Sequence, residues 1–373
     1  MRVRAAVLAR SGLERPYARS RPLEVLELEL EPPGPGELLV RIRAAGLCHS
    51  DLSVIDGSRP RPLPMVLGHE ASGEVVELGA GVEGFAPGDH VVLTFVPSCR
   101  ACAPCRAGRP ALCEPAAAAN GAGELATGGR RWRRDGGSVH HHLGVSAFAE
   151  HAVVAAASAI RVDPALPFDV AALFGCAVVT GVGAVVNAGA LRPGERVAVF
   201  GLGGVGLAAV LGAVEAGAGA VIGVDPVAAK RELALALGAH SALDAALDPV
   251  AAVRELTGGG AELAVETVGS EAVLAQAYAA TRRGGTTVTV GLPDPSRLLT
   301  IPALGLVAEE RTLRGSYLGS AVPERDVPRL VGLHLQGRLP VERLLTHRLR
   351  LEEVNEGFDR LAAGEAVRQA ILF

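Results

Sequence analysis

The sequence predicts an α/β protein that contains a doubly wound parallel sheet. The apolar run Arg196–Phe200 leads into the turn Gly201-Leu-Gly-Gly-Val-Gly206, which opens a segment rich in Ala, Leu and Val. A second apolar run, Val221–Val224, follows and ends in Asp225. Strand, glycine turn, helix, strand and acid in this order are typical of a dinucleotide-binding fold. The later runs AELAVETVG and TTVTVGLP predict further buried strands, which continue the sheet to about residue 317.

The glycine turn also predicts which dinucleotide binds. Its glycines let the backbone approach a pyrophosphate at the start of a helix, and they are Gly201, Gly203, Gly204 and Gly206. Asp225 would accept hydrogen bonds from the adenosine ribose and would repel a 2′-phosphate, so NAD is favoured over NADP. Lys230 and Arg231 soften this preference, because they either contact the ribose or a phosphate or form a solvated helix face.

Length and composition indicate two globular domains. The chain has 373 residues, of which 49% are hydrophobic and 20% charged. Its net charge of −4 gives no reason to expect nucleic acid or an anionic membrane as a partner. The start, MRVRAAVLARSG, has no apolar run long enough for a signal peptide, so the expected location is cytoplasmic. The uncharged segment Val197–Val214 is close to the length of a membrane span, but its glycines favour a buried strand followed by a helix.

Four of the six cysteines form a cluster with the spacing C-x2-C-x2-C-x7-C: Cys99, Cys102, Cys105 and Cys113. Four thiolates this close in sequence are typical of a closed structural zinc site. Disulfides are disfavoured in a chain with no secretion signal, and the common spacings of iron–sulfur ligands differ from this one. We therefore expect a small lobe, at about residues 95–115, that is held by a metal.

The other two cysteines, Cys48 and Cys176, lie far apart in the sequence. A lone cysteine is more often a small buried hydrophobic residue than a ligand. Together with His69, however, the two would form a catalytic zinc site with three protein ligands and one open position. Spacing alone does not bring these residues together.

The chain resembles the zinc-containing medium-chain alcohol dehydrogenase family over nearly its whole length. The motifs GLCHSD, GHEASGEVVELG, the four-cysteine lobe, FGCAVVTG, VFGLGGVG and THRLRLEEVNEGFDRLAAGEAVRQAILF occur in the order of that family. The resemblance implies a GroES-like, mainly β catalytic domain over residues 1–177 and 318–373. It implies a Rossmann NAD-binding domain over residues 178–317, with the active site between the domains. Residues 123–142 resemble a long loop of dimeric members, which implies a homodimer.

The resemblance also implies two zinc ions per chain and the roles of the residues at the catalytic one. Cys48, His69 and Cys176 would be its ligands, Glu70 would lie behind the metal, and Asp51 would orient the His69 ring. The implied reaction is reversible hydride transfer between a primary or secondary alcohol and NAD.

The predicted proton path begins at Ser50, whose hydroxyl matches the group that contacts the substrate oxygen in the family. Several relatives carry a histidine three residues further on, where this chain has Ser53. A hydroxyl relays a proton but is no terminal base near pH 7, so the proton would leave through water or through His49. An alternative position for His49 is beside the pyrophosphate, and a third is an exposed loop; all stay open.

The remaining implied contacts are with the cofactor and the substrate. Thr180 and Val205 match residues that line the nicotinamide, and Arg368 matches a basic residue at the pyrophosphate. The predicted substrate pocket contains Phe95, His142, Leu143, Leu292 and Tyr317. Two rival functions keep the same fold: an enzyme that acts physiologically as an aldehyde or ketone reductase, and an NAD-binding relative without catalytic activity.

Overall fold

The computed structural model describes the whole chain, residues 1–373. The chain forms two compact units. The first comprises Met1–Cys176, Val322–Leu335 and Leu345–Phe373, and the second comprises Ala177–Ala321 and Gln336–Leu344. The boundaries implied by the family resemblance assign the last of these segments to the other domain.

The strands are β1 (Arg2–Leu8), β2 (Leu23–Leu30), β3 (Glu37–Gly46), β4 (Met65–Val66), β5 (Ala71–Leu78), β6 (His90–Leu93), β7 (Trp132–Arg134), β8 (Gly137–His141), β9 (His151–Ala155), β10 (Ala159–Arg161), β11 (Arg196–Phe200), β12 (Ala220–Asp225), β13 (Ser241–Asp244), β14 (Ala261–Glu266), β15 (Thr281–Thr289), β16 (Thr312–Gly315), β17 (Leu345–Leu349) and β18 (Arg368–Leu372). The α-helices are α1 (Tyr17–Ser20), α2 (His49–Ile55), α3 (Ala103–Arg106), α4 (Glu114–Ala122), α5 (Phe168–Ala172), α6 (Ala177–Gly183), α7 (Gly204–Glu215), α8 (Ala228–Ala236), α9 (Pro249–Leu256), α10 (Glu271–Ala280), α11 (Ala303–Ala308), α12 (Pro323–Leu335) and α13 (Val354–Ala363).

The first unit is built mainly from β-strands. Five of them close into a barrel in the order β1-β2-β7-β8-β4. Val3, Ala5 and Val7 lie on one face of β1, and all three pack in the barrel core with the fully buried Trp132. A second, seven-stranded sheet has the order β10-β6-β5-β3-β18-β17, and β9 also pairs with β3. The predicted mainly β architecture of this region is confirmed.

The second unit is the predicted doubly wound domain. Its sheet has the strand order β13-β12-β11-β14-β15-β16, and every pairing in it is parallel. The central strands are almost continuously apolar, because helices cover both faces of such a sheet. The strands predicted on either side of the glycine turn form where expected, and the order places β12 and β14 on the two sides of β11.

The uncharged segment Val197–Val214 forms part of β11 and most of α7, as predicted. Gly181 and Gly212 let α6 and α7 pack closely, because a Cβ at either position would collide with the facing helix. No single helix is long and apolar enough to cross a membrane. One bent pair, Phe168–Gly175 with Ala177–Ala188, passes that test by length and composition only, and most of its residues are buried in the protein.

The arginine-rich segment around Trp132 forms part of the barrel wall. Nε of Arg131 lies 2.7 Å from Oε2 of the buried Glu37, and Nε of Arg133 lies 2.8 Å from Oε1 of Glu31. These cations are therefore paired with carboxylates of the same unit. The indole between them is part of the hydrophobic core, which explains why this cationic run contains a tryptophan.

Candidate metal centres and cofactor site

A buried cluster in the first unit joins Cys48, His69, Glu70 and Cys176. One ligand atom from each of these side chains lies within 4.8 Å of the corresponding atoms of the other three. All four residues are buried, and both cysteines are free thiols. The structure thus brings together the three predicted zinc ligands and the acid predicted to lie behind the metal.

Three loops supply these side chains. Cys48 lies between the end of β3 and the start of α2, with an extended backbone. His69 and Glu70 immediately precede β5, and Cys176 follows a short 3₁₀ turn. The position before His69 requires a glycine. Gly68 has a φ of +91°, and a Cβ there would lie 2.6 Å from the backbone nitrogen of Phe148.

Asp51 lies behind the histidine of this cluster. Its Oδ2 is 3.1 Å from Nδ1 of His69, and its Oδ1 is 3.0 Å from Nδ1 of His142. Oδ1 also accepts a hydrogen bond from the backbone N–H of Gly68, at 3.0 Å. Burial alone would raise the pKa of Asp51, but the two histidines lower it to about 2. Asp51 is therefore a buried carboxylate that contacts two imidazoles at once.

Glu70 contacts a cation from the end of the chain. Its Oε2 lies 3.3 Å from Nη2 of Arg368, which is itself buried and donates through Nη1 to the carbonyl oxygen of Leu47. Burial raises the pKa of Glu70 to about 7, although Arg368 opposes this change. Antiparallel pairing of β18 with β3, in which Ala370 faces Gly46, brings Arg368 to this point.

The cluster fits a metal ion. Nε2 of His69 is buried without a hydrogen-bond partner, and so is Oε1 of Glu70, whereas Oε2 of Glu70 has the ion pair with Arg368. Such unsatisfied atoms are costly in a protein interior unless a metal or another polar group satisfies them. The neighbouring Cys176 thiol and the charge of Arg368 lower the pKa of Cys48, despite its burial. Two thiols, one imidazole and an adjacent carboxylate match the donor chemistry of zinc.

The predicted proton-path residues lie at the start of α2. Ser50 is half-buried, two positions after Cys48, whereas His49 is exposed. Oγ of Ser53 donates to the carbonyl oxygen of His49 at 2.8 Å, within the same helix. The donor of Ser53 is thus already engaged in an internal bond of α2.

The second cysteine cluster forms the predicted lobe. The four sulfurs of Cys99, Cys102, Cys105 and Cys113 lie within 4.8 Å of one another. The backbone N–H groups of Ala101 and Cys102 donate to Sγ of Cys99 and lower the pKa of that thiol to about 6. Oγ of Ser98 donates to Sγ of Cys105, at 3.4 Å. This arrangement of donors around four sulfurs fits a tetrahedral zinc ion.

The glycine turn of the second unit forms an open cradle at the start of α7. Gly201 has a φ of +90°, and a Cβ on Gly206 would collide with its carbonyl oxygen. A Cβ on Gly203, in contrast, would meet no atom within 4 Å, and Gly203 caps α7 without a side-chain hydrogen bond. Open space in front of uncapped helix N–H groups fits a pyrophosphate. Gly204 and Val205 form the first turn of α7, and Val205 is half-buried.

Asp225 ends β12 beside this cradle. Its two side-chain oxygens accept hydrogen bonds from the backbone N–H groups of Leu202 and Val227, each at 2.8 Å. Each carboxylate oxygen can accept more than one hydrogen bond, so Asp225 retains capacity for ribose hydroxyls. Arg231 is paired with Asp244 at 3.1 Å, whereas Lys230 is half-buried on α8.

The predicted substrate and nicotinamide residues are divided between the units. In the first unit, the rings of Phe95 and His142 lie edge-on to the ring of His69, at centroid distances of 5.3 and 5.5 Å. Leu143 is buried and holds a φ of +51°, which is unusual for a leucine. Besides Val205, the predicted residues of the second unit are Thr180, which is buried, Leu292, which is exposed, and Tyr317, which is half-buried.

Sequence reasoning missed three side-chain contacts at these sites. It predicted His142 in the substrate pocket without its contact to Asp51, in which Nδ1 of His142 lies 3.0 Å from Oδ1. It assigned Arg368 to the pyrophosphate without its contact to Glu70. It also overlooked Asp244, although an acid at the end of the strand after Asp225 was a visible signal. Each contact joins residues whose elements meet only in the folded chain.

The chain is similar to known proteins over its whole length. Residues 34–164 match the alcohol dehydrogenase GroES-like domain, and residues 204–335 match the zinc-binding dehydrogenase domain. The chain is 41% identical to the NDMA-dependent alcohol dehydrogenase of Amycolatopsis methanolica, over 100% of this chain and 99% of that protein. It is 41% identical to the geraniol dehydrogenase of Castellaniella defragrans, over 94% of this chain and 95% of the relative.

A solved structure shows the same likeness in three dimensions. The benzyl alcohol dehydrogenase of Acinetobacter calcoaceticus matches with a TM-score of 0.93 at 32% identity, and the match covers 100% of this chain and 99% of that one. Both domain matches occur in the order that the motifs predicted. The chain therefore belongs to the zinc-containing medium-chain alcohol dehydrogenase family and is an oxidoreductase.

Proposed function

We propose that the protein is a zinc- and NAD-dependent alcohol dehydrogenase that reversibly converts a primary or secondary alcohol into an aldehyde or ketone. The observation that carries this proposal is the buried set of Cys48, His69 and Cys176, with Glu70 beside it. Two cysteine thiolates and one neutral imidazole are the ligand set of a catalytic zinc that keeps one position open for a substrate.

When bound, zinc would act as a Lewis acid on the alcohol oxygen, and NAD would accept the hydride. The protein's part is to hold and orient these groups. Asp51 would orient the His69 ring through its contact with Nδ1, which leaves Nε2 available to the metal. Arg368 compensates the charge of Glu70 within the same buried cluster.

Ser50 would take part in moving the proton of the alcohol. Ser50 is half-buried two positions after Cys48 in the sequence, and a serine hydroxyl can accept and pass on a proton. Because Ser53 already donates to the carbonyl oxygen of His49, we propose that the path continues through water or through the exposed His49.

NAD is the proposed cofactor because of the charges at the end of β12. A 2′-phosphate carries up to two negative charges and would face the carboxylate of Asp225. The 6% exposure of Asp225 reduces solvent screening of that repulsion. Arg231, the arginine closest to Asp225 in the sequence, is already paired with Asp244.

The substrate is proposed to be a bulky primary alcohol. Two relatives are named for geraniol and benzyl alcohol. The surroundings of His69 in the first unit support this choice, because the phenyl ring of Phe95 lies 5.3 Å from the His69 ring and the predicted pocket residue Leu143 is apolar and buried. Apolar side chains at this point favour an apolar substrate over a polyol.

The test combines metal analysis with a substrate screen on the full chain. We expect two zinc ions per chain, and NADH formation with benzylic and allylic alcohols that exceeds formation with short aliphatic alcohols or polyols. NADP and NDMA are supplied in parallel. A content of one zinc per chain, together with no turnover of any alcohol, would contradict the proposed dehydrogenase activity. A requirement for NADP or NDMA instead of NAD would contradict the proposed cofactor. Cys48→Ala should abolish turnover and remove one zinc.

We propose that the enzyme is a homodimer and that it is located in the cytoplasm. β16 lies at an edge of the parallel sheet, and its outer side has no neighbouring strand within the chain. Leu298, Leu304 and Val307 nearby in the sequence are 83, 75 and 79% exposed, which is unusual for apolar side chains. A second copy would cover both features. Sedimentation at several concentrations should give a dimer, and a monomer throughout would contradict the proposal. All six cysteines belong to the two metal-ligand clusters and none forms a disulfide, which is typical of a protein from a reducing compartment.

A further inference from the structure

Arg231 is held at the carboxyl end of β12 by three acceptors. Its Nη1 donates to the carbonyl oxygens of Asp225 and Pro226, each at 2.8 Å. Its Nη2 lies 3.1 Å from Oδ2 of Asp244. The guanidinium is therefore fixed beside the backbone of the acid that we assign to the adenosine ribose.

Asp244 reaches Arg231 because of the strand register. It ends β13 and is paired directly with Asp225 across the parallel ladder of β12 and β13. Its other oxygen, Oδ1, accepts a hydrogen bond from the backbone N–H of Ala246 at 2.9 Å. Both oxygens are thus engaged, and the Asp244 carboxylate is held in position on the same sheet edge as Asp225.

Nucleotides bind to open parallel sheets at the carboxyl ends of the strands, where Asp225 and Asp244 lie. An arginine near the acid position is the group that accommodates a 2′-phosphate, because its planar fork binds phosphate oxygens in pairs. Arg231 has this chemistry and this place in the fold. Asp244 neutralises its charge and occupies its Nη2 donor, so that the cation is withheld from a ligand.

We propose that Asp244 is a second determinant of the preference for NAD over NADP, and that it acts through Arg231. Asp225 repels the 2′-phosphate, and Asp244 withholds the Arg231 guanidinium that would attract it. This inference rests on the proposed function, since it deepens the cofactor preference assigned there. It makes Asp244 a positioning residue, because it acts on the cofactor through another side chain.

Equilibrium binding tests the proposal without catalytic turnover. The full chain is titrated calorimetrically with 5′-AMP and with 2′,5′-ADP, which differ only in the 2′-phosphate. Asp244→Asn keeps the side-chain volume and removes the charge. We expect it to tighten 2′,5′-ADP binding about tenfold and to leave 5′-AMP binding nearly unchanged, because one unpaired cation close to a phosphate contributes on that scale. Glu232→Gln, an exposed change of equal charge on α8, is the matched control and should change neither.

The double variant Asp244→Asn/Arg231→Met separates a specific effect from a general change of charge. The tighter binding of 2′,5′-ADP should disappear in it. Equal effects of Asp244→Asn and Glu232→Gln would overturn the inference, as would tighter binding that persists without Arg231. If the wild type binds 5′-AMP but Asp244→Asn leaves 2′,5′-ADP unchanged, the inference fails and the proposed function stands. If the wild type binds neither fragment, or prefers 2′,5′-ADP, the proposed NAD dependence fails as well.

Discussion

Oδ2 of Asp51 lies 3.1 Å from Nδ1 of His69, and neither side chain is exposed to solvent. This contact leaves Nε2 as the nitrogen of His69 that can bind a metal, and it fixes the plane of the ring. The orientation of the predicted zinc ligand His69 therefore depends on the carboxylate of Asp51, which precedes it by eighteen positions in the sequence.

The first prediction concerns this carboxylate. Asp51→Asn keeps the shape but loses a charge-assisted contact to His69, so zinc affinity at the catalytic site should fall about 10- to 100-fold. Competition with a chelator, followed as zinc released per chain, measures the loss. Asp56→Asn, at the exposed end of the same helix, is the control and should release zinc as the wild type does. Equal retention in both variants would show that Asp51 does not orient the ligand.

His142 gives a second prediction. Its Nδ1 lies 3.0 Å from Oδ1 of Asp51, so His142→Phe keeps a ring of similar size but removes this contact. We expect kcat to fall about tenfold because a buried carboxylate then loses one of its partners. His142→Asn, whose amide can donate from a similar position, should restore much of kcat. If both variants instead change only KM, His142 contacts substrate, as the sequence predicted, and does not position Asp51.

The four-cysteine lobe should matter for stability. Cys102→Ser removes one thiolate from the predicted structural zinc site, and metal binding there is coupled to folding of the lobe. We expect Tm to fall by several degrees and a chelator to cause a similar fall in the wild type. Ala101→Ser adds a hydroxyl to an exposed neighbour on the same lobe and should leave Tm unchanged. A wild-type Tm that is insensitive to complete zinc removal would contradict a structural role.

Two glycines of the cofactor cradle should behave differently. A Cβ on Gly206 would collide with the carbonyl oxygen of Gly201, so Gly206→Ala should destabilise the protein by about 2–3 kcal/mol. Gly203 faces open space and has a φ of −73°, which alanine adopts readily. Gly203→Ala should keep the wild-type Tm but weaken NAD binding about tenfold, because its methyl group occupies the approach of the pyrophosphate. Thermal unfolding and NAD titration measure the two effects, and unchanged NAD affinity in Gly203→Ala would place the cofactor elsewhere.

Glu262 in the second unit predicts a dependence of stability on pH. Burial alone would raise the pKa of Glu262, but hydrogen bonds from Arg196, one of them 2.9 Å long, lower it to about 2. Arg282 adds a further contact at 3.3 Å. A lowered pKa stabilises the folded state above the unfolded value, which is about 4.3, and this contribution disappears as pH falls through 2.

Glu262→Gln should therefore lower the free energy of unfolding at pH 7 by up to about 2 kcal/mol, and the deficit should shrink as pH falls from 5 towards 2. Denaturant unfolding of both proteins at each pH measures this difference, so any effect of acid on the metal sites that both share cancels. Glu255→Gln, an exposed change in the same unit, is the control. A deficit that stays constant with pH would show that the ion pair does not cause it.

The glycine turn shows which features of the fold can be predicted from the local sequence pattern. Arg196–Phe200, the turn and Asp225 form one continuous supersecondary unit, and their order alone specified the strands, the helix start and the acid. The same holds for the four-cysteine lobe, whose ligands span fifteen residues. Arg368 shows the opposite case, because its contact with Glu70 depends on β18 pairing with β3 across most of the chain.

The sequence by itself determined the two-domain α/β class, the family, the cofactor turn and the division of the cysteines into four and two. These features depend on residues close together in the chain, where spacing and backbone geometry are sufficient. The family resemblance implied that Cys48, His69 and Cys176 share one metal, and the tertiary structure shows them close together. Only the tertiary structure decided that His142 contacts Asp51 and that Asp244 holds Arg231. Strand register and loop packing bring these side chains together, and neither can be read from the local order of residues.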